Sequence, residues 1–97
     1  MKEDQTSICA WADSTFGPAK IDASFKRFLI EVDELATAPF EKVPSECADV
    51  LITLYRVAHV AGFDLQAEVD RKMSINRARK WRSNGDGTGQ HIREDGK

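Results

Sequence analysis

The stretch from Val50 to Val60 constrains the fold more than any other. Wound at ~100° per residue, Val50, Leu51, Ile52, Leu54, Tyr55, Val57, Ala58 and Val60 point in nearly every direction round a helix axis. A helix that is apolar all round has to be covered all round. A chain of 97 residues buries only about 60% of its unfolded surface and can hardly surround such a helix by itself. The sequence therefore predicts a helical bundle completed by further copies of the chain, as a homodimer or a homotetramer. Pro44 and Ser45 open this helix, with proline in its first turn, and Gly62 follows its last residue as a C-terminal cap.

Three more segments read as helix. Thr6 to Phe16 carries Ile8, Trp11, Ala12 and Phe16 at helical spacing, with Thr6 or Ser7 as cap and Gly17-Pro18 as stop. Asp22 caps a second helix that runs to about Ala36, where Phe25, Phe28, Leu29, Val32 and Leu35 form one stripe. Asp64 caps a last helix that continues to about Lys80. No strand is predicted, so the fold class is all-α, with about four helices in a domain of residues 1–82. Residues 83–97 are polar and glycine-rich without an apolar period, which predicts a flexible tail. Gly85 to Gly89 lacks the preceding strand and the Gly-Lys-Ser/Thr ending of a phosphate-binding loop.

Composition narrows the function. Hydrophobic residues at 41% and charged residues at 31% fit a soluble globular domain. A net charge of −2 gives no electrostatic case for a nucleic acid or an anionic membrane. There is no long apolar run and no signal-peptide pattern, so a cytoplasmic location is expected. Cys9 and Cys47 stand in no metal or redox spacing and read as free thiols.

Four carboxylates stand out: Glu31 and Glu34 on the second helix, Glu46 and Asp49 on the third. Each pair has i, i+3 spacing, which puts both side chains within one turn on one face. If the helices lie antiparallel the pairs converge, and four close negative charges require protons or a cation. An all-oxygen donor set without His or Cys favours Mg²⁺ or Mn²⁺. The plain alternative is two solvated helix faces. Against it, Glu46 and Asp49 lie on a helix that is otherwise apolar, where acidic groups need a reason to be. Glu31 flanks the apolar stripe of its helix and Glu34 lies nearly opposite that stripe. On the last helix the face begun by Leu65 and Val69 continues as Lys72, Asn76 and Arg79. These are either ordinary surface residues at a helix C-terminus or a set of donors for a phosphate chain and a sugar. Trp11 is either a core residue or the aromatic edge of a pocket. His59 and His91 match no metal or triad spacing, and neither has the Glu three residues before it that a di-iron bundle uses.

Glu31-x-x-Glu34 followed by Glu46-x-x-Asp49 and an apolar helix resembles the signature of the all-α, MazG-like NTP pyrophosphohydrolases. Lys72, Asn76, Arg79 and Trp81 downstream and the opening Trp11-Ala12-Asp13-Ser14-Thr15-Phe16-Gly17 are similar to a short phage and bacterial branch of that family, the dATP/dGTP pyrophosphohydrolases. That branch includes the MazZ-type proteins of phages with 2-aminoadenine in their DNA. The resemblance covers residues 7 to 81. It implies hydrolysis of dGTP and dATP to the monophosphate and pyrophosphate, with Mg²⁺ or Mn²⁺ held by Glu31, Glu34, Glu46 and Asp49. It implies Glu34, with Glu31 beside it, as catalytic, Lys72 and Arg79 on the triphosphate, Asn76 on the deoxyribose and Trp11 on the base. It also implies work in the host cytoplasm if the protein is phage-encoded, where it would serve 2-aminoadenine DNA synthesis. Two alternatives stay open on the residues alone: a non-enzymatic helical interaction module, and a house-cleaning enzyme for another dNTP.

Overall fold

A computed structural model of the chain describes residues 2–93. Four helices follow one another: α1 (Gln5–Phe16), α2 (Ile21–Thr37), α3 (Val43–Ala61) and α4 (Leu65–Ala78), with a 3₁₀ turn at Phe40–Lys42 before α3. Two three-residue strands follow, β1 (Trp81–Ser83) and β2 (Gly89–His91). Among the described residues no helix is long and apolar enough to cross a membrane. The chain divides into two compact units, residues 1–65 and 66–97.

In the first unit α1 and α2 both pack on α3. α1 starts at Gln5, one residue before Thr6, and Asp4 rather than Thr6 or Ser7 is the cap, accepting from the Ser7 N–H, while the Ser7 hydroxyl accepts in return from the Asp4 N–H. Each bond satisfies an orphan donor of the first turn. Asp22 does not cap α2 either. Lys20 stands at that position without a side-chain bond, and Asp22 lies inside the first turn, where its charge suits the helix dipole. α3 begins at Val43, so Pro44 is its second residue. Its end is as the sequence predicts. Gly62 is left-handed, at φ 87°, and the N–H groups of Gly62 and Phe63 both bond back to the Ala58 carbonyl. A side chain would be strained at that φ.

The face of α2 that meets α3 differs from the stripe read in the sequence. Ser24 and Glu31 are buried, and Phe28 and Leu35 are half-buried on the same side. Phe25, Leu29 and Val32 are exposed, Leu29 by 63%. The buried apolar set is small: Cys9, Ala12, Val57 and Ala58. Cys9 and Cys47 are free thiols, and burial pushes the Cys9 thiol up.

The second unit contains most of α4, which stops at Ala78 rather than Lys80, and the hairpin. The hairpin corrects the expectation of a structureless stretch after residue 82, although residues 94–97 of the expected tail lie outside the described residues. Trp81 faces His91 and Ser83 faces Gly89 in an antiparallel register. Thr88 organises the loop: its N–H and hydroxyl both donate to Asp86 Oδ1, and its carbonyl accepts from the Asn84 N–H at 2.8 Å. A Cβ at Gly89 would meet the Arg82 carbonyl oxygen at 2.9 Å, so the ladder closes only with glycine there.

Candidate active site

The inward face of α2 and the N-terminal half of α3 bring three carboxylates together. One oxygen each from Glu31, Glu46 and Asp49 lies within 4.8 Å of the others. Glu31 is only 6% exposed, Glu46 is half-buried and Asp49 is exposed. Glu31 Oε2 and Glu46 Oε2 are buried and have no hydrogen-bond partner. A buried carboxylate oxygen without a donor is costly, and two such oxygens in one group of carboxylates call for positive charge. Glu31 therefore faces inward rather than flanking an apolar stripe. Glu34 stands outside the three-oxygen group but next to it. A side-chain hydrogen bond with Glu31, and then the negative charge of Glu31, raise the Glu34 carboxyl above its ordinary value. All four predicted carboxylates thus converge, three as a group and Glu34 at its edge.

The group borders a cleft of about 590 Å³, open to solvent, between α1, α2 and α3. Glu31, Asp49 and Arg27 line one part of it, and Trp11, Phe16, Ile8 and Ile52 give it an apolar wall. Trp11 is 57% exposed, so it is a pocket-edge residue and not a core one. Its ring stands edge-on to Phe16 with centroids 5.5 Å apart, a favoured aromatic geometry.

Two cations that the sequence does not mark as parts of this site, Arg27 and Arg56, line the cavity. Arg27 pairs with Glu31 one turn along α2. The i, i+4 spacing was visible, but only burial of Glu31 gives the pair its significance. Arg56 lines the cavity and is almost fully engaged. Its guanidinium donates to Asp13 Oδ1 at 2.7 Å, to the Gly17 carbonyl at 2.8 Å and to the Cys9 carbonyl at 3.3 Å. His59 Nε2 lies 3.3 Å from the other Asp13 oxygen. Arg56 thereby ties the C-terminal end of α1, and with it Trp11 and Phe16, to α3.

Lys72, Asn76 and Arg79 lie in the second unit. The Asn76 carbonyl accepts from the Trp81 indole N–H at 2.7 Å, which fixes Trp81 against the end of α4. Lys72 and Arg79 act on a common neighbour: desolvation first, then Arg79, Arg93 and Lys72, hold His91 below its ordinary value.

The model of the dATP/dGTP pyrophosphohydrolase family matches residues 5–97. The chain belongs to that family. A dATP/dGTP diphosphohydrolase of Salmonella phage PMBT28 is 39% identical over 93 residues, which is 96% of this chain but 32% of that protein. The chain thus spans about a third of the length of that relative. A dATP/dGTP diphosphohydrolase of cyanophage S-2L is 32% identical over 93% of this chain and 86% of its own. Among solved structures, the cyanophage S-2L MazG-like pyrophosphohydrolase bound to dGDP and three catalytic Mn²⁺ ions per active site superposes with a TM-score of 0.78 at 31% identity. The superposition covers 92% of this chain and 89% of that one, so the family's helical fold extends through nearly all of the protein.

Proposed function

We propose that the chain hydrolyses the purine deoxynucleoside triphosphates dGTP and dATP between the α- and β-phosphorus, releasing the monophosphate and pyrophosphate. The observation that carries this is the three-carboxylate group, with its two unpartnered buried oxygens, two of whose members, Glu31 and Asp49, line a cavity of nucleotide size. Family membership and the metal-bound cyanophage neighbour support it. The donor set fits hard divalent cations: Glu31, Glu46 and Asp49 would hold Mg²⁺ or Mn²⁺, with Glu34 completing the set. When bound, such ions offset charge on the phosphate oxygens and lower the pKa of water. Glu34, at the edge of the group and hydrogen-bonded to Glu31, would accept the proton of the attacking water, with Glu31 beside it. Trp11 stacks on the base, Lys72 and Arg79 bind the triphosphate, and Asn76 binds the deoxyribose. The reaction belongs in the cytoplasm, where the dNTP pool is. In a phage that replaces adenine in its DNA it would remove dATP and supply dGMP.

The purine preference is tested by kcat/KM across the four dNTPs. dGTP and dATP are expected to exceed dCTP and dTTP by about tenfold or more, because a purine covers more of Trp11; stacking on an aromatic side chain is worth roughly 1–3 kcal/mol per base. Trp11→Ala is expected to raise KM for dGTP by a similar factor with a smaller change in kcat. Equal efficiency on pyrimidine nucleotides would remove the base assignment and leave the reaction standing.

Metal binding has a separate readout. Saturating Mn²⁺ is expected to raise Tm by on the order of 10 °C at neutral pH, from ~2.7 kcal/mol of linkage at a hundredfold excess over Kd. The pH dependence follows from the raised Glu34 carboxyl. Without metal, its contribution to stability is present at low pH and lost as pH rises through its folded pKa, since the folded state holds the proton more tightly. Mn²⁺ competes with that proton, so the Tm gap between metal-bound and metal-free protein is expected to widen as pH rises through the acid range. A gap that narrows would count against the carboxylate site.

We also propose self-association, as a dimer or a tetramer. Phe25, Leu29 and Val32 on α2 and Leu51 on α3 remain exposed in the single chain outside the cavity, a bulkier apolar set than the Cys9, Ala12, Val57 and Ala58 that the chain buries. Light scattering at micromolar concentration is expected to give two or four times the chain mass of 10.9 kDa. A stable monomer would refute this part.

A further inference from the structure

Arg27 stands one turn before Glu31 on α2, and its Nη2 donates to Glu31 Oε1. The two partners have opposite surroundings. The Arg27 side chain is 60% exposed and that of Glu31 is 7% exposed, so the guanidinium reaches in from solvent to a buried carboxylate. The pairing satisfies one oxygen of Glu31 and leaves Oε2 without a partner. Arg27 also lines the cavity, and its charge opposes the upward shift of Glu34. It thus faces Glu31, Glu34 and the cavity together. Arg56, the other cation on the cavity wall, is committed to Asp13 and two carbonyls and is not available for exchange.

A guanidinium on one oxygen of Glu31 and a divalent cation on the other compete for the negative charge of a single carboxylate. The Arg27 stem is long and solvent-exposed, so giving up Glu31 requires only a rotamer change. A planar guanidinium is well matched to phosphate oxygens, which it can hold in bidentate fashion. We infer that Arg27 is an internal counter-ion that exchanges partners: it holds Glu31 while the carboxylate group lacks a cation, and passes to a phosphate oxygen of the nucleotide once a divalent cation takes that carboxylate. This rests on the metal reading given above. It makes Arg27 oppose metal binding when nucleotide is absent and favour nucleotide binding when metal is present.

The test uses the full chain, wild type and the variants Arg27→Gln, Arg27→Lys and Glu46→Gln, with folding checked by circular dichroism. Mn²⁺ affinity is read by electron paramagnetic resonance of the free ion without nucleotide. Nucleotide affinity is read by calorimetry in saturating Mn²⁺ with a dGTP analogue whose α,β-bridge is an imido group. Arg27→Gln is expected to bind Mn²⁺ about five- to tenfold more tightly, the effect of removing one nearby competing charge, and the analogue about tenfold more weakly. Arg27→Lys keeps the charge and is expected to stay within about twofold of wild type for Mn²⁺. An Arg27→Gln variant with unchanged or weaker Mn²⁺ binding would overturn the exchange, since Arg27 would then only orient Glu31. Unchanged analogue affinity would overturn it as well. Glu46→Gln separates the two levels. If it loses Mn²⁺ while Arg27→Gln behaves as wild type, the counter-ion role alone fails. If it binds Mn²⁺ as wild type does, the metal site itself fails and the inference with it.

Discussion

Asp49→Asn and Glu46→Gln are each expected to lower dGTP turnover by about three orders of magnitude, roughly 4 kcal/mol of transition-state stabilisation, with the helical circular-dichroism spectrum unchanged. The size follows from what the carboxylates do. Each would hold positive charge against the reacting phosphate, and an amide of the same shape holds it far less well. The intact fold follows from their surroundings. Asp49 is exposed on α3, and Glu46 Oε2 has no hydrogen bond to lose. Removing one negative charge from a crowded group relieves repulsion, so the metal-free variants should melt no lower than wild type. Wild-type rates in both variants would place the chemistry elsewhere.

Arg56→Met is expected to be the most damaging substitution for stability. The Arg56 side chain is 13% exposed and serves three acceptors: the Asp13 carboxylate and the carbonyls of Cys9 and Gly17. A methionine fills much of the volume and supplies no donor. The Gly17 carbonyl at the end of α1, the Cys9 carbonyl in its middle and the Asp13 carboxylate then lose this donor. Breaking a fully buried pair costs about 3–5 kcal/mol. Asp13 is 39% exposed, which moderates the loss to about 2–3 kcal/mol, or a fall in Tm on the order of 10–20 °C for a domain of this size. Thermal melts in metal-free buffer measure it. A fall below about 2 °C would mean that the acceptors solvate without cost and that Arg56 does not tie α1 to α3.

The sequence carried most of the helical frame, because helix ends are set by local chemistry. Pro44 and Gly62 bracket α3 through a missing N–H and a left-handed φ, and both effects act within a few residues. The cap of α1 was harder to read: Asp4-x-x-Ser7 pairs an acid with a serine at the third helical position, where the familiar pattern has Glu or Gln. The inward face of α2 is not its most apolar face, and the reason is physical. Periodicity finds the most apolar face, Phe25, Leu29 and Val32, whereas the face against α3 carries Ser24 and Glu31 because a carboxylate group has to be enclosed there. The hairpin lacked any periodic signal. Its strands are three residues each and almost wholly exposed, and what holds its loop is Thr88 with Asp86 and Asn84. The two carboxylate pairs were legible through their i, i+3 spacing. Arg27 and Arg56 were not, since a surface arginine and one that reaches a buried acid look alike until burial is known. For Lys72, Asn76 and Arg79 the sequence offers a helical face and a family likeness, and their work on substrate stands as a proposal.

Cleavage between the α- and β-phosphorus by a carboxylate-held divalent cation is tested most directly by its products. Purified chain, dGTP and Mn²⁺ are incubated together and the phosphorus species are resolved by ³¹P NMR, with a chelator-treated sample alongside. dGMP and pyrophosphate in equal amounts, and no reaction in the chelated sample, are expected. dGDP with orthophosphate, or turnover that survives removal of the metal, would contradict it.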